Sequence, residues 1–281
     1  MSAPVRLGAV DYLNARPLVA GLDRRPDLFA LRFDPPSQCA ELLHAEAIDV
    51  GMIPSIEFQR GGASYRIVPG MGIVSDGPVA SVALFSAKPT GAIRSIAVDT
   101  SSRTSAGLLR VLCREKFAIE PEFVPMPPAI DPMIARCDAA LVIGDPALYL
   151  DHQAAGLGKI DLGEQWTALT GLPFVWAFWA GRPGVLSPDA LRALGDARDA
   201  GVAQSDAIAD AYGGPDRAAL SRAYLRDNIK YVLGEREAVG LQRYYELAER
   251  HGVIDRVRPP VFFGLGANGD NGLNTKQRRE R

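Results

Sequence analysis

Four polar segments of the sequence have the composition of a binding or catalytic site, because each follows an apolar stretch of strand length and leads into a helix-like segment. The first, YLNARPL at 12–18, places the amide of Asn14 and the guanidinium of Arg16 before Pro17. The other three are PSIEF at 54–58, DTSSRTS at 99–105 and IGDPAL at 143–148. In open parallel sheets ligands bind at the carboxyl ends of the strands, where helix N-termini present free amides to anions.

The residue types in these segments favour a carboxylate as ligand. Hydroxyls and free amides hydrogen-bond a carboxylate, and Arg16 or Arg103 matches its charge. Each junction alone also has a structural explanation, since a Ser or Thr can cap a helix and Asp145 before Pro146 is typical of a helix start. Taken together, the four junctions predict a site for a small carboxylic acid. The candidate binding residues are Arg16, Ser55, Ser102, Arg103, Thr104, Ser105, Gly144 and Asp145.

Sequence motifs for nucleotides and metals are missing. The chain has no GxxxxGK[ST] phosphate loop, no HExxH and no GxSxG, and GMGIVSDG at 70–77 lacks the spacing of a dinucleotide fingerprint. Its three histidines are scattered over predicted helices, and none is an obvious catalytic base. The three cysteines have no CxxC spacing, so neither a zinc site nor a disulfide framework is indicated. We expect no cofactor and no metal.

The composition is that of a globular protein. The chain has 281 residues, of which 47% are apolar and 23% charged, and its net charge of −2 gives no basic face for a nucleic acid. No apolar run reaches the ~18 to 20 residues that cross a bilayer, and no secretory leader is evident. We therefore expect a cytoplasmic protein with a small-molecule substrate, no nucleic acid and no membrane partner. We interpret the terminal KQRRER at 276–281 as a solvated tail.

Apolar runs and helix-length segments alternate over the first two thirds of the chain, which predicts an α/β protein with a mainly parallel sheet. After about residue 187 helices alone follow, and Ser187 before Pro188 is a strong cap signal. The predicted strands are 5–10, 28–33, 49–53, 65–69, 79–86, 94–99, 122–126, 139–143 and 174–180. The predicted helices are 37–46, 104–117, 146–155, 187–199, 201–212, 215–233 and 235–251.

Clusters of Pro and Gly divide the chain into two lobes. They follow long apolar strands at 86–95 and at 180–184. We therefore expect a discontinuous first lobe, 1–87 plus 184–281, and a second lobe, 88–183. A cleft between two lobes suits a small ligand.

The assembled motifs resemble the chorismate dehydratase family, the first enzyme of the futalosine route to menaquinone. The resemblance covers the first 180 residues in order, and YLNARPL joined to SSRTS and IGDPAL is its most particular part. The other matching blocks are AEAIDVGMIPSIEF at 45–58 and DLGEQWTALTGLPFVWAFWA at 161–180. The resemblance implies the two-lobed fold of type II periplasmic solute-binding proteins, with a ligand cleft between the lobes.

The resemblance also implies a reaction and two catalytic residues. A carbon–oxygen lyase of this family removes the C4 hydroxyl and the C3 proton of chorismate, giving 3-[(1-carboxyvinyl)oxy]benzoate and water. Asn14 would hydrogen-bond the reacting hydroxyl or the ring carboxylate, and Ser81 in GPVASVALFS would be its partner. Arg16 would either anchor an anion or brace its loop. Asp99 and Asp145 are the carboxylates of the site blocks, and the enolpyruvyl carboxylate of chorismate is a third candidate for the base.

Two other functions remain open at this stage. A sister enzyme of the same pathway, 1,4-dihydroxy-6-naphthoate synthase, shares the fold, but its reaction would require a histidine at the site. A non-catalytic solute-binding protein for an aromatic or dicarboxylic acid also shares the fold, which by itself does not decide function. The lack of a recognisable leader favours the enzyme over this binding protein.

Overall fold

The structure is a computed structural model that describes residues 3–61 and 64–264; the tail segment 276–281 lies outside them. Its strands form two sheets. The strands are β1 (Val5–Val10), β2 (Phe29–Asp34), β3 (Val50–Pro54), β4 (Arg66–Ile67), β5 (Ile73–Ser75), β6 (Val82–Ser86), β7 (Ser95–Asp99), β8 (Glu122–Met126), β9 (Ala139–Ile143), β10 (Gly158–Asp161) and β11 (Phe174–Gly181).

Helices cover the outer faces of the sheets, and none in the described ranges is long and apolar enough to cross a membrane. A 3₁₀ segment, Leu13–Val19, follows β1, and π-helical turns at Cys113–Phe117 and Tyr224–Asn228 continue two of the helices. The helices are α1 (Pro36–His44), α2 (Glu57–Arg60), α3 (Thr104–Leu112), α4 (Ile130–Arg136), α5 (Gly144–Leu148), α6 (Leu162–Thr170), α7 (Pro188–Ala203), α8 (Ser205–Ala223, broken at Gly214) and α9 (Glu235–Arg250).

Both sheets are mixed, which corrects the prediction of one mainly parallel sheet. The first has the order β2-β1-β3-β11-β4, with β5 beside β11; β1 to β3 pair in parallel, and β11 runs antiparallel to its neighbours. The second has the order β10-β6-β9-β7-β8, in which β6 runs antiparallel to β9 and β10. The antiparallel strands are the ones that cross from one half of the chain to the other.

These crossing strands join other sheets than the predicted lobe division implies. The sequence division at 87 and 184 placed strand 79–86 in the first lobe and strand 174–180 in the second. Hydrogen bonding places β6 in the second sheet and β11 in the first. Pro and Gly at 88–91 and 183–184 therefore mark the far ends of these strands, and the chain crosses between Ser75 and Val82 and between Thr170 and Phe174. The division into a lobe 1–87 plus 184–281 and a lobe 88–183 stays a prediction.

The C-terminal helices hold two of the polar junctions in place. Tyr244 and Tyr245 of α9 are fully buried, and the Tyr244 ring packs against Phe174 with ring centroids 4.9 Å apart. Their hydroxyls donate to backbone oxygens of the site segments, Tyr244 to Thr104 at 2.9 Å and Tyr245 to Ser55 at 2.7 Å. The confirmed Ser187 cap, whose Oγ accepts from the amide of Ala190, starts α7 in the same layer.

Gly201 of α7 sets the position of the 3₁₀ segment that carries Asn14. A Cβ at Gly201 would lie 2.0 Å from the backbone oxygen of Pro17, and backbone atoms cannot rotate away. We expect Gly201→Ala to lower the free energy of unfolding by about 1–3 kcal/mol. Gly195→Ala in the same helix is the control, because nothing lies within 4 Å of its Cβ position; it should stabilise by about 0.5–1 kcal/mol. Equal denaturation midpoints for the two variants would contradict this packing.

Candidate active site

The four polar junctions meet at one cleft. Val10 at the end of β1, Pro54 at the end of β3 and Ile143 at the end of β9 line it, together with segment 101–105 after β7. The cleft encloses about 550 Å³ including its open mouth. Seven of the ten predicted site residues line it, namely Asn14, Ser81, Ser102, Arg103, Thr104, Ser105 and Gly144. Arg16, Ser55 and Asp145 lie outside its lining and support the surrounding segments.

Asn14 presents a free acceptor in the cleft. It lies on the 3₁₀ segment Leu13–Val19, whose apolar residues Leu13, Ala15 and Leu18 are fully buried and fix the segment on the core. The Asn14 side-chain oxygen Oδ1 is buried, and no group of the described residues hydrogen-bonds it. Because a buried acceptor without a partner costs about 1–3 kcal/mol, this oxygen is suited to a ligand that donates a hydrogen bond.

Ser81 is held by a strained turn. Ala80 has φ of +63°, in the left-handed region that a residue with a Cβ rarely adopts. The carboxylate of Asp161 keeps the turn in place, since it accepts from the backbone amide of Val79 at 3.0 Å and from that of Ala80 at 2.6 Å. The Ser81 hydroxyl then lies 2.7 Å from the phenol oxygen of Tyr224.

The hydroxyls at the start of α3 differ in how they are used. Thr104 Oγ1 accepts from the amide of Ile56 at 3.1 Å, and Ser101 Oγ donates to Asp99 at 2.7 Å. Ser102 Oγ is buried and has no partner in the described ranges. Together with the free amides of this nine-residue helix, the Ser102 hydroxyl is a donor set for an anion.

We therefore expect Ser102→Ala to raise the KM for an anionic substrate by about tenfold, because one hydrogen bond to a charged group is lost. The kcat should change much less, since a ground-state anchor acts equally on the transition state. Thr104→Val is the comparison. It leaves the buried Ile56 amide without an acceptor and should lower the unfolding temperature. Steady-state kinetics and thermal denaturation of both variants test this, and an unchanged KM for Ser102→Ala would refute the assignment.

Arg103 faces the cleft, but its charge is shared with two carboxylates. Its guanidinium lies 2.6 Å from Glu41 and 3.8 Å from Glu57. Burial raises the pKa of the Glu57 carboxyl, but its hydrogen bond with His44 and the charges of Arg103 and Arg60 outweigh this, so the pKa lies below its ordinary value. Glu57 is thus an ionised partner that ties α3 of the second sheet to α2 of the first.

Arg16 braces its own loop. It forms an ion pair with Asp11, and its guanidinium lies 4.8 Å from the centre of the Phe33 ring and 5.2 Å from that of Tyr212. Of the two roles left open by the sequence, the geometry therefore favours the bracing one.

Asp145 and Ser55 are also structural supports in this arrangement. Asp145 accepts from the amide of Leu13 at 3.2 Å and from the Tyr212 hydroxyl, so it joins α5 to the 3₁₀ segment and to α8. Burial raises the pKa of the Asp145 carboxyl, partly offset by these hydrogen bonds. Ser55 is fully buried and donates to the backbone oxygen of Val175 at 2.8 Å.

Sequence reasoning missed three lining residues, Tyr12, Ser101 and Trp176. The Tyr12 ring passes close to Gly144, where φ is +66° and a Cβ would lie 2.6 Å from the ring. Trp176, predicted as core, is 7% exposed and donates to Ser75 Oγ at 3.1 Å. In the sequence, only the glycine at position 144 could have indicated that another side chain, here Tyr12, approaches the backbone closely.

The lining of the cleft carries little charge. Within the described ranges, Arg103 is its one charged residue, and no carboxylate, histidine or lysine lines it. The same ranges hold no group of three or more His, Cys, Asp or Glu side chains that could bind a metal. What the cleft offers is a set of hydroxyl, amide and backbone groups on apolar walls.

A family model described as menaquinone biosynthesis matches residues 5–250 of the sequence. The chain belongs to this family. Among its relatives, a chorismate dehydratase of Thermus thermophilus is 28% identical over 262 residues, which are 86% of this chain and 94% of that protein.

Solved structures show the fold. A crystal structure of a protein from Archaeoglobus fulgidus matches with a TM-score of 0.73 at 20% identity, covering 90% of this chain and 99% of that chain. A Candida albicans protein described as having the generic periplasmic binding protein fold matches with a TM-score of 0.61 at 12% identity, covering 91% and 92%. The predicted periplasmic-binding-protein fold of this family member is thereby confirmed.

Proposed function

We propose that the protein is a chorismate dehydratase, a hydro-lyase that converts chorismate to 3-[(1-carboxyvinyl)oxy]benzoate and water. The observation that carries this proposal is the similarity to a chorismate dehydratase over 86% of the chain, within a menaquinone-biosynthesis family. The cleft suits such a substrate. It combines anion donors at the start of α3 with apolar walls formed by side chains such as Ile73 and Trp176.

The site would act by positioning the substrate and by stabilising the departing hydroxyl. Ser102 and the amides at the start of α3 hold a carboxylate. Asn14 and Ser81, at the opposite corner, orient the C4 hydroxyl. The C3 proton and the C4 hydroxyl leave together as one water molecule, and the ring becomes aromatic, which drives the step.

The lining favours the substrate itself as the base. A protein base needs to lie within about 2.6–3.2 Å of the C3 proton or one water away. Since no carboxylate or histidine of the described residues lines the cleft, the enolpyruvyl carboxylate of bound chorismate is the nearest acceptor. The absence of a lining histidine in these ranges also counts against the naphthoate synthase reaction.

Incubation of the pure protein with chorismate, without added metal or nucleotide, tests the proposal. We expect loss of the diene absorbance and a product lighter by one water in the mass spectrum. Binding of chorismate without any change in mass would indicate a solute-binding protein and overturn the proposal.

A further inference from the structure

Behind Ser81 lies a buried phenol. Tyr224 is 1% exposed and begins the π-helical turn that continues α8. Its hydroxyl oxygen lies 2.7 Å from Ser81 Oγ. One hydroxyl from the C-terminal helices therefore contacts a residue proposed to handle the reacting hydroxyl of the substrate.

Either oxygen of the Ser81–Tyr224 pair can donate the hydrogen bond between them. When the phenol donates to Ser81 Oγ, the Ser81 proton is free to point into the cleft that Ser81 lines. Hydrogen bonds that run in one direction in this way polarise and strengthen each other.

The resulting arrangement gives the cleft one donor and one acceptor. Ser81 O–H is the donor, suited to a hydroxyl that leaves with developing negative charge. Asn14 Oδ1, which has no partner in the described ranges, is the acceptor, suited to the proton of that hydroxyl before it leaves. Without the phenol, the Ser81 hydroxyl could rotate toward other acceptors.

The backbone at Tyr224 forms a π-helical turn. A π-helical turn is rare and frequently lies at functional sites, because its extra residue re-aims a side chain. The turn spans Tyr224–Asn228 and follows α8 directly, and the Tyr224 side chain is fully enclosed.

We propose that Tyr224 is a positioning residue, which donates to Ser81 Oγ and so leaves the Ser81 proton to the departing hydroxyl. This inference rests on the proposed function. It assigns part of the site to the C-terminal helices, in which the sequence alone indicated no functional residue.

Tyr224→Phe tests the role, because it removes one oxygen and keeps the ring that fills the core. We expect kcat for chorismate to fall about tenfold, the effect of one lost hydrogen bond, and KM to change less than about twofold. Tyr231→Phe is the matched control. Tyr231 is also buried, and its hydroxyl has no partner in the described ranges, so its loss should leave kcat unchanged. Circular dichroism and thermal denaturation establish that both variants fold.

A double-mutant cycle separates positioning from a general effect on the fold. If Tyr224 acts through Ser81, Tyr224→Phe should lower kcat less in a Ser81→Ala background than in the wild type. Equal losses in both backgrounds, or a wild-type kcat in the single Tyr224→Phe variant, would overturn the inference. The proposed function fails separately, if the wild-type protein itself leaves chorismate unchanged.

Discussion

Asn14→Ala should lower kcat for chorismate by about 100-fold and alter KM by only a few-fold, since removal of one preorganised group at a site of developing charge has this effect in other enzymes. Asn14 Oδ1 is a buried acceptor without a protein partner in the described ranges. Its loss therefore disturbs the leaving hydroxyl more than it weakens binding of the carboxylates.

Asn228→Ala is the control for this experiment. Asn228 donates to the backbone oxygen of Pro78 at an exposed position and does not line the cleft, so its replacement should leave both constants unchanged. Steady-state kinetics of the two variants decide the matter. If Asn14→Ala turns over chorismate at the normal rate and only raises KM, Asn14 is an anchor and has no part in the chemical step.

The sequence predicted the strands of the buried sheets well, because continuous apolar runs are distinctive. It missed β10 and α6, since GKID and LGEQWTALT carry no strong period of their own and are held by the Asp161 carboxylate. The C-terminal helix 235–251 was confirmed within one residue at its end. The lobe division stays a prediction. The sheets that β6 and β11 join could not be foreseen, because Pro and Gly mark the ends of strands without indicating which sheet a strand joins.

The sequence predicted those parts of the site that lie at the carboxyl ends of strands. All four junctions meet at one cleft. The parallel strands β1 and β3 end at one edge of the first sheet, and the parallel strands β7 and β9 end at one edge of the second. What the sequence could not show is which polar groups are already satisfied. Thr104 and Ser55 have the same chemistry as Ser102, and only the contacts of the folded chain show that their hydroxyls bind protein atoms. Tyr224 was missed because its helix lies over 200 residues from Asn14 in sequence.

The two aspartates of the site segments, Asp99 and Asp145, do not have the surroundings that a catalytic base needs. Asp145 is occupied by the amide of Leu13 and the hydroxyl of Tyr212, and it does not line the cleft. Asp99 is fully buried behind Ser101, and burial raises its pKa. Neither carboxylate therefore faces bound substrate.

A chorismate analogue whose enolpyruvyl carboxylate is a neutral amide should bind in the cleft but react about 1,000-fold more slowly, because a general base contributes roughly 10²–10⁴-fold. Desolvation in the cleft strengthens the carboxylate of true chorismate as a base, whereas the neutral amide is far too weak a base to take the proton. Asp145→Asn serves as the protein-side comparison. It keeps an acceptor for the Leu13 amide, so we expect kcat within a few-fold of the wild type. Two outcomes would show that a protein group and not the substrate carboxylate is the base. They are comparable turnover of the analogue, or complete loss of turnover in Asp145→Asn with chorismate still bound.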